Sequence, residues 1–125
     1  MKKLPDAELE LMMIIWEAEE PVTRLYIEEH MDEGRDVLPN TVLTLLSRLE
    51  RRGFVQKDRQ GKMNYYSAMV PKEPYLKEAG RGVLQRMFHG SLRNFAAALY
   101  EGEEIDPEEA EALYRFLEEK RQERG

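Results

Sequence analysis

Residues 38–53 contain short polar and basic side chains that recur at the spacing of one helix face. Hydroxyl, amide and guanidinium groups of this kind bond to phosphate oxygens or base edges, and an arginine can make a two-pronged hydrogen bond to guanine. At about 100° per residue these side chains fall on one side of a helix. The set comprises Asn40, Thr41, Thr44, Ser47, Arg48 and Arg51. The chemistry that this face predicts is contact with nucleic acid.

The helix that would carry this face has boundaries that are readable in the chain. Pro39 suits the first helical turn, where its missing N–H has no partner to lose, and Gly53 suits the left-handed position just after the last turn. An amphipathic helix whose polar face is only solvated has the same pattern. The residues that follow Gly53 must therefore distinguish such a helix from one that contacts nucleic acid. The stripe predicted to pack on a core is Val42, Leu45, Leu46 and Leu49.

Two short strand-like runs follow that helix directly. They cover residues 54–58 and 62–67, and the residues between them, 59–61, are predicted to form a hairpin turn. Arg59 and Lys62 then lie at the tip of the hairpin, where they can reach the backbone or the minor groove of a duplex. Basic residues at a hairpin tip also serve solubility, so they alone do not indicate DNA binding. The prediction depends on the order of the elements. A helix followed at once by a basic hairpin is typical of a winged helix.

Two more helices are predicted before the polar-faced one. Leu9, Met12, Met13 and Trp16 recur at i, i+3, i+4 and i+7 and indicate a first helix with a broad core face. Thr23 can cap a second helix. The chain therefore has the helices that a helix-turn-helix requires.

The hairpin is expected to gain a third strand and to pack on this core. Val37 and Leu38 are predicted to add a short strand. Successive strand residues point to opposite faces, so one of Tyr65 and Tyr66 should pack beneath the hairpin. Together these elements predict a winged helix-turn-helix DNA-binding domain over residues 1–70.

Residues 71–125 are predicted to form a separate region of three helices with apolar faces. Such faces would leave an exposed hydrophobic patch in a monomer, which pairing of two chains would bury. Folding back onto the first domain is the alternative. The residues assigned to pairing are Leu84, Phe88, Leu92, Phe95, Leu99, Leu113, Phe116 and Leu117. The predicted fold class is mainly α with a small β-hairpin, a winged helix-turn-helix domain plus a C-terminal helical dimerisation region.

The composition indicates a globular chain with segregated charge. Of the 125 residues 42% are hydrophobic and 35% charged. No apolar run approaches the ~20 residues of a membrane span, and no secretory leader is visible, so a cytoplasmic protein without membrane contact is expected. The formal net charge is −6, yet residues 40–66 hold six basic and two acidic residues, and residues 4–36 hold two basic and eleven acidic ones. The basic region suits phosphates, and the acidic one should face away from DNA.

Other kinds of chemistry have little support in the sequence. There is no cysteine, so neither a disulfide nor a thiolate metal site can form. The two histidines, His30 and His89, lack a second imidazole at metal-site spacing. No phosphate-binding loop, nucleophile elbow or catalytic pair is present. We expect no enzyme activity, no cofactor and no metal.

These motifs resemble the penicillinase-repressor family of winged-helix transcriptional regulators. The resemblance implies a homodimeric repressor that binds inverted-repeat operators in double-stranded DNA and controls antibiotic-resistance or stress genes. By position it implies recognition-helix contacts from Thr41, Thr44, Ser47 and Arg48, and wing contacts from Arg59 and Lys62. The residues that carry the resemblance are Ala7-Glu8-Leu9, Met12, Trp16, Pro39, Thr41-Val42, residues 44–49, Arg52-Gly53, Gly61-Lys62, Tyr66-Ser67, Phe88-His89-Gly90-Ser91 and the closing helix over residues 109–117.

The chain also departs from that family. Asn40 and Leu43 stand where members often have lysines, so a different operator sequence is expected. The β-lactam-responsive members are inactivated by cleavage of an Asn–Phe bond, which implies a sensor-linked protease as a partner. Asn94-Phe95 is present here, but the family's cleavage position falls nearer Ala98-Leu99. The cysteine pairs of the copper-responsive members are absent.

The sequence therefore predicts a homodimeric transcriptional repressor. One recognition helix would enter each major groove with one wing alongside, and the half-sites would lie about one helical turn apart. The alternative is a winged-helix protein-protein interaction module that uses the basic face to dock a protein, without sequence-specific DNA binding. The salt dependence of DNA binding separates the two.

Overall fold

The computed structural model describes residues 3–31 and 38–124. Within these ranges it confirms the predicted fold class, mainly helical with one antiparallel hairpin. The chain divides into two compact units, one up to Gly80 and the other from Arg81. The elements are α1 (Asp6–Ala18), α2 (Arg24–Glu29), α3 (Pro39–Arg51), β1 (Val55–Gln60), β2 (Met63–Ala68), α4 (Lys72–Phe88), α5 (Leu92–Leu99) and α6 (Pro107–Arg124).

The core of the first unit is built on the apolar stripe of α3. Its four residues are buried as predicted, and each removes a side chain from water at a gain of about 1.5–3 kcal/mol. They pack with apolar side chains from α1, α2, the hairpin and the start of α4. The stripe consists of Val42, Leu45, Leu46 and Leu49. The opposite face of α3 is thereby held toward solvent.

The buried stripe of α1 differs from the prediction. Of the predicted residues only Met12 is buried, whereas Leu9, Met13 and Trp16 are half-buried. Apolar residues of α1 occupy most of the circumference of this helix, so their spacing did not show which side is buried. The buried residues of this helix are Glu8, Leu11, Met12 and Ile15.

The hairpin forms where it was expected, with a later turn. Gln60 pairs with Met63, which leaves the two-residue turn Gly61-Lys62. Gly61 has φ 63°, and a glycine with positive φ at the first central position is the pattern of a type II′ turn. The predicted turn at 59–61 was therefore placed too early, because Arg59 and Gln60 belong to β1.

A third segment does pair with the hairpin, but from another part of the chain. Val22 and Tyr66 exchange two backbone hydrogen bonds of 2.9 and 2.7 Å. Leu38, predicted to be in a strand, is instead the N-cap residue of α3, and Val37 lies outside the described residues. Tyr66 is the tyrosine buried beneath the hairpin, while Tyr65 is half-buried.

The start of α4 packs into the first unit. The Leu4 backbone N–H donates a buried hydrogen bond of 2.8 Å to the hydroxyl of Tyr75. The Tyr75 ring meets Phe54 edge-on at 5.8 Å, and the Trp16 indole N–H donates to the carbonyl of Val70 at 2.8 Å. The segment that follows the hairpin is thus fixed to the first unit.

The second unit combines the end of α4 with α5 and α6. Ser91 caps α5 by accepting from the Asn94 N–H at 3.0 Å, and the Asp106 carboxylate accepts from the Glu108 N–H at 3.0 Å at the start of α6. Phe88 and Phe95 pack edge to face at 5.3 Å. No described residue from Arg81 onward is buried. Among the described helices, none is long and apolar enough to cross a membrane.

Candidate DNA interface

All six residues predicted for the nucleic-acid face of α3 are exposed on one side of that helix. They are Asn40, Thr41, Thr44, Ser47, Arg48 and Arg51. The Thr44 hydroxyl donates to the carbonyl of Asn40 at 2.9 Å, so toward a ligand it acts as a hydrogen-bond acceptor. This face offers an amide, three hydroxyls and two guanidinium groups.

The end of α3 is fixed by a Schellman motif. The N–H of Gly53 donates to the carbonyl of Glu50 at 3.0 Å, and the N–H of Phe54 donates to that of Leu49 at 2.9 Å. Gly53 has φ 81°, which confirms its predicted left-handed position. Phe54 and Leu49 are both buried, so the motif also anchors the helix end in the core.

An ion pair that the sequence reasoning missed ties the same helix end to α1. Arg52 Nη1 lies 3.2 Å from Glu8 Oε1 and 3.3 Å from Oε2. Glu8 is 1% exposed, and its Oε1 has no hydrogen bond, so this carboxylate depends on Arg52. The available signal was an acid on the stripe shared by Leu11, Met12 and Ile15.

Three guanidinium groups meet at the C-terminal end of α3. Arg48, Arg51 and Arg52 surround an open cleft of about 300 Å³. Guanidinium groups bind phosphate through charge-assisted hydrogen bonds, and phosphate is the anion that DNA presents along its backbone. The cleft therefore has the chemistry of a phosphate contact.

The hairpin adds further basic groups beside α3. Arg59 and Lys62 are exposed, and the Arg59 Nε donates to the carbonyl of Gly61 at 3.1 Å, which folds this side chain over the turn. Lys57 Nζ lies 4.0 Å from the Glu50 carboxylate and links β1 to α3. The structure thus places all eight predicted DNA-contacting residues on α3 and at the hairpin end of the same unit.

A groove of about 270 Å³ lies where α3, the start of α2 and the hairpin meet, and we name it the α3–wing groove. Burial raises the pKa of the Tyr66 phenol above its ordinary value of 10.0; Glu50 adds to the increase and Arg24 opposes it. Tyr66 therefore stays a neutral, largely apolar part of this groove at neutral pH. The lining residues are Thr23, Arg24, Leu25, Leu43, Lys62, Met63, Asn64 and Tyr66.

The first unit has two helices, a third helix with an exposed polar and basic face, and a hairpin beside that face. This arrangement defines the class of winged-helix DNA-binding regulators. The penicillinase repressor family matches residues 4–119, and the chain belongs to this family. It is a DNA-binding transcriptional repressor.

Relatives match along most of the chain. The penicillinase repressor of Bacillus licheniformis is 30% identical over 122 residues, which cover 95% of this chain and 94% of the relative. The methicillin resistance regulatory protein MecI of Mammaliicoccus sciuri is 26% identical over 118 residues, covering 94% and 95%. The solution structure of the Bacillus licheniformis BlaI monomeric form in complex with the blaP half-operator is 24% identical, covers 59% of this chain and 89% of that chain, and has a TM-score of 0.49.

Proposed function

We propose that two copies of this chain bind one inverted-repeat operator, each placing α3 in a major groove and its hairpin alongside. The observation that carries the proposal is the exposed polar face of α3, whose opposite side is packed in the core and whose end is fixed by the Schellman motif and the Glu8–Arg52 pair. The proposed contact residues are Asn40, Thr41, Thr44, Ser47, Arg48, Arg51, Arg59 and Lys62.

The distribution of charge favours this orientation on DNA. The exposed charged residues of α3 and the hairpin are mainly basic, whereas the end of α1 and the loop after it expose Glu17, Glu19 and Glu20. A duplex approaching the acidic side would meet like charge, so the field of the protein turns α3 toward the phosphates. Because of its DNA target, we place the protein in the cytoplasm.

Residues 71–125, which contain the second unit, are proposed as the dimerisation region that holds the two copies together, and residues 1–70 as the DNA-binding domain. Large apolar side chains that remain exposed in a monomer mark surfaces that another molecule covers. Leu92, Leu99 and Phe116 are each more than half exposed. The residues proposed to pair are Leu84, Phe88, Leu92, Phe95, Leu99, Leu113, Phe116 and Leu117.

The names of the relatives suggest the regulated genes, and the resemblance to β-lactam-responsive family members suggests the means of release. We infer control of antibiotic-resistance or stress genes, with a sensor-linked protease as the partner that ends repression. Asn94–Phe95 lies inside α5, and Phe95 packs on Phe88, so a protease would have to unwind the helix there. Ala98 and Leu99 lie at the exposed end of α5, where helices fray and proteases cut more readily. If a protease cleaves α5, we expect the cut near Ala98-Leu99 and not at Asn94–Phe95.

The test is selection of bound sequences from random duplexes by the purified protein, followed by titration of the enriched duplex at several salt concentrations. We expect an inverted repeat bound by two protomers, with an affinity that falls steeply with salt. Arg48→Ala should weaken binding, whereas Arg124→Ala, which removes the same charge at the end of α6, should not. Absence of any enriched sequence would instead favour docking of a protein on this face.

A further inference from the structure

One apolar side chain interrupts the exposed face of α3. Leu43 follows Asn40 by three residues and precedes Ser47 by four, so the three side chains are neighbours on the helix surface. Leu43 is 40% exposed, although the other leucines of α3 are buried. A leucine there cannot donate or accept a hydrogen bond, and whatever it recognises must be apolar.

Leu43 does not stand alone, because it lines the α3–wing groove. Leu25 from α2 and Met63 from the hairpin line the same groove and are 53% and 45% exposed. Lys62 and Arg24 supply positive charge at this groove, although Arg24 also pairs with Glu28 at 2.8 Å. The result is an apolar patch with basic neighbours, continuous with the polar face of α3.

The chemistry of DNA limits what can cover this patch. Base edges in the major groove present hydrogen-bonding groups at every pair and one apolar group, the C5-methyl of thymine. A protein partner would also offer apolar groups, but the basic residues of the groove and its continuity with α3 favour the polyanion. Deoxyribose carbons are the remaining apolar surface of DNA, and they are the same at every base.

We propose that Leu43 determines operator specificity by packing against a thymine methyl group in each half-site, with Leu25 and Met63 completing the apolar contact. This inference rests on the proposed placement of α3 in the major groove. It adds a base preference that the polar residues of α3 do not supply. The expected half-site therefore contains a thymine beside the bases read by Asn40 and Ser47.

The test replaces each thymine of the selected duplex, one at a time, by uracil, which removes the methyl group and keeps every hydrogen-bonding group. Burial of a group of this size corresponds to about a fourfold change in affinity, so one position per half-site should lose about fourfold and both together about fifteenfold. Leu43→Ala should bind the thymine and uracil duplexes equally. Met69→Ala is the matched control, because Met69 is 57% exposed and lies outside α3 and the groove.

The other results overturn the inference. The methyl contact is refuted if the unaltered protein binds every uracil duplex as tightly as the thymine duplex. If Arg48→Ala still weakens DNA binding in that case, the DNA face remains supported. If Leu43→Ala loses affinity for the thymine and uracil duplexes by the same factor, and so keeps the thymine preference of the unaltered protein, Leu43 contacts deoxyribose and another group reads the methyl, also against the proposal. If Arg48→Ala has no effect either, the DNA face itself is wrong.

Discussion

Removal of Arg52 should destabilise the first unit by leaving the Glu8 carboxylate buried without its counter-charge. Breaking a fully buried pair in this way costs about 3–5 kcal/mol. Solvent screens part of this interaction because the Arg52 side chain is 39% exposed, so we expect Arg52→Ala to lower the free energy of unfolding by about 2 kcal/mol. With a slope of roughly 1.5 kcal/mol per molar urea, the unfolding midpoint should fall by about 1–1.5 M.

Urea unfolding without DNA, followed by the fluorescence of Trp16, measures this loss. Trp16 is the single tryptophan of the chain and packs against Tyr75 in the first unit, so its emission reports on the unit that holds the ion pair. Arg51→Ala is the matched control, because it removes the same charge from an exposed neighbour and should change stability by less than about 0.5 kcal/mol.

A double-mutant cycle with Glu8→Gln separates the ion pair from other effects of the substitutions. Arg52→Ala should cost less in the Glu8→Gln background, because no charge is then left buried. Equal destabilisation by Arg52→Ala and Arg51→Ala would refute the reasoning, since it would mean that the Glu8 carboxylate does not depend on its partner.

Three further results are expected. Arg48→Ala should weaken operator binding by roughly 1–3 kcal/mol in a fluorescence-anisotropy titration, whereas Lys62→Ala should weaken binding to all sequences and flatten the salt slope by about one unit per wing; unchanged binding in both variants would remove these site assignments. Because the folded pKa of Tyr66 is raised, the stability it contributes is complete below pH 10.0 and is lost as the pH rises through the folded pKa. Tyr66→Phe should reduce that alkaline loss in urea unfolding, and an unaltered pH profile would count against it. Phe116→Glu should shift the protein toward monomer in sedimentation velocity and weaken binding to the full inverted repeat more than to a half-site; a dimer that persists would disprove the pairing surface.

The recognition helix could be predicted from sequence because its signals are local and agree with one another. Pro39 and Gly53 mark its ends, and a clean division into apolar and polar sides sets its rotation. α1 lacks such a division, since apolar residues occupy most of its circumference. Its buried stripe, including Glu8, is selected by what packs against it, and periodicity alone does not contain that information.

Contacts between segments that are distant in the chain were also not predictable from local sequence patterns. The pairing of Val22 with Tyr66 and the ion pair of Arg52 with Glu8 each join residues 44 positions apart. Nothing in either short segment specifies its partner, because register across such a separation follows from the packed core. The turn residues Gly61 and Lys62 differ from the prediction for a smaller reason: glycine occupies the first central position and not the end of the loop.

The central claim is that the exposed face of α3 and the hairpin bind the operator. Its most direct test is a map of backbone amide chemical shifts in the protein with and without a selected half-site duplex. We expect the largest changes from Asn40 to Arg51 and around Gly61-Lys62, with little change at the acidic end of α1. Changes confined to α1 or α6, with α3 unaffected, would contradict it.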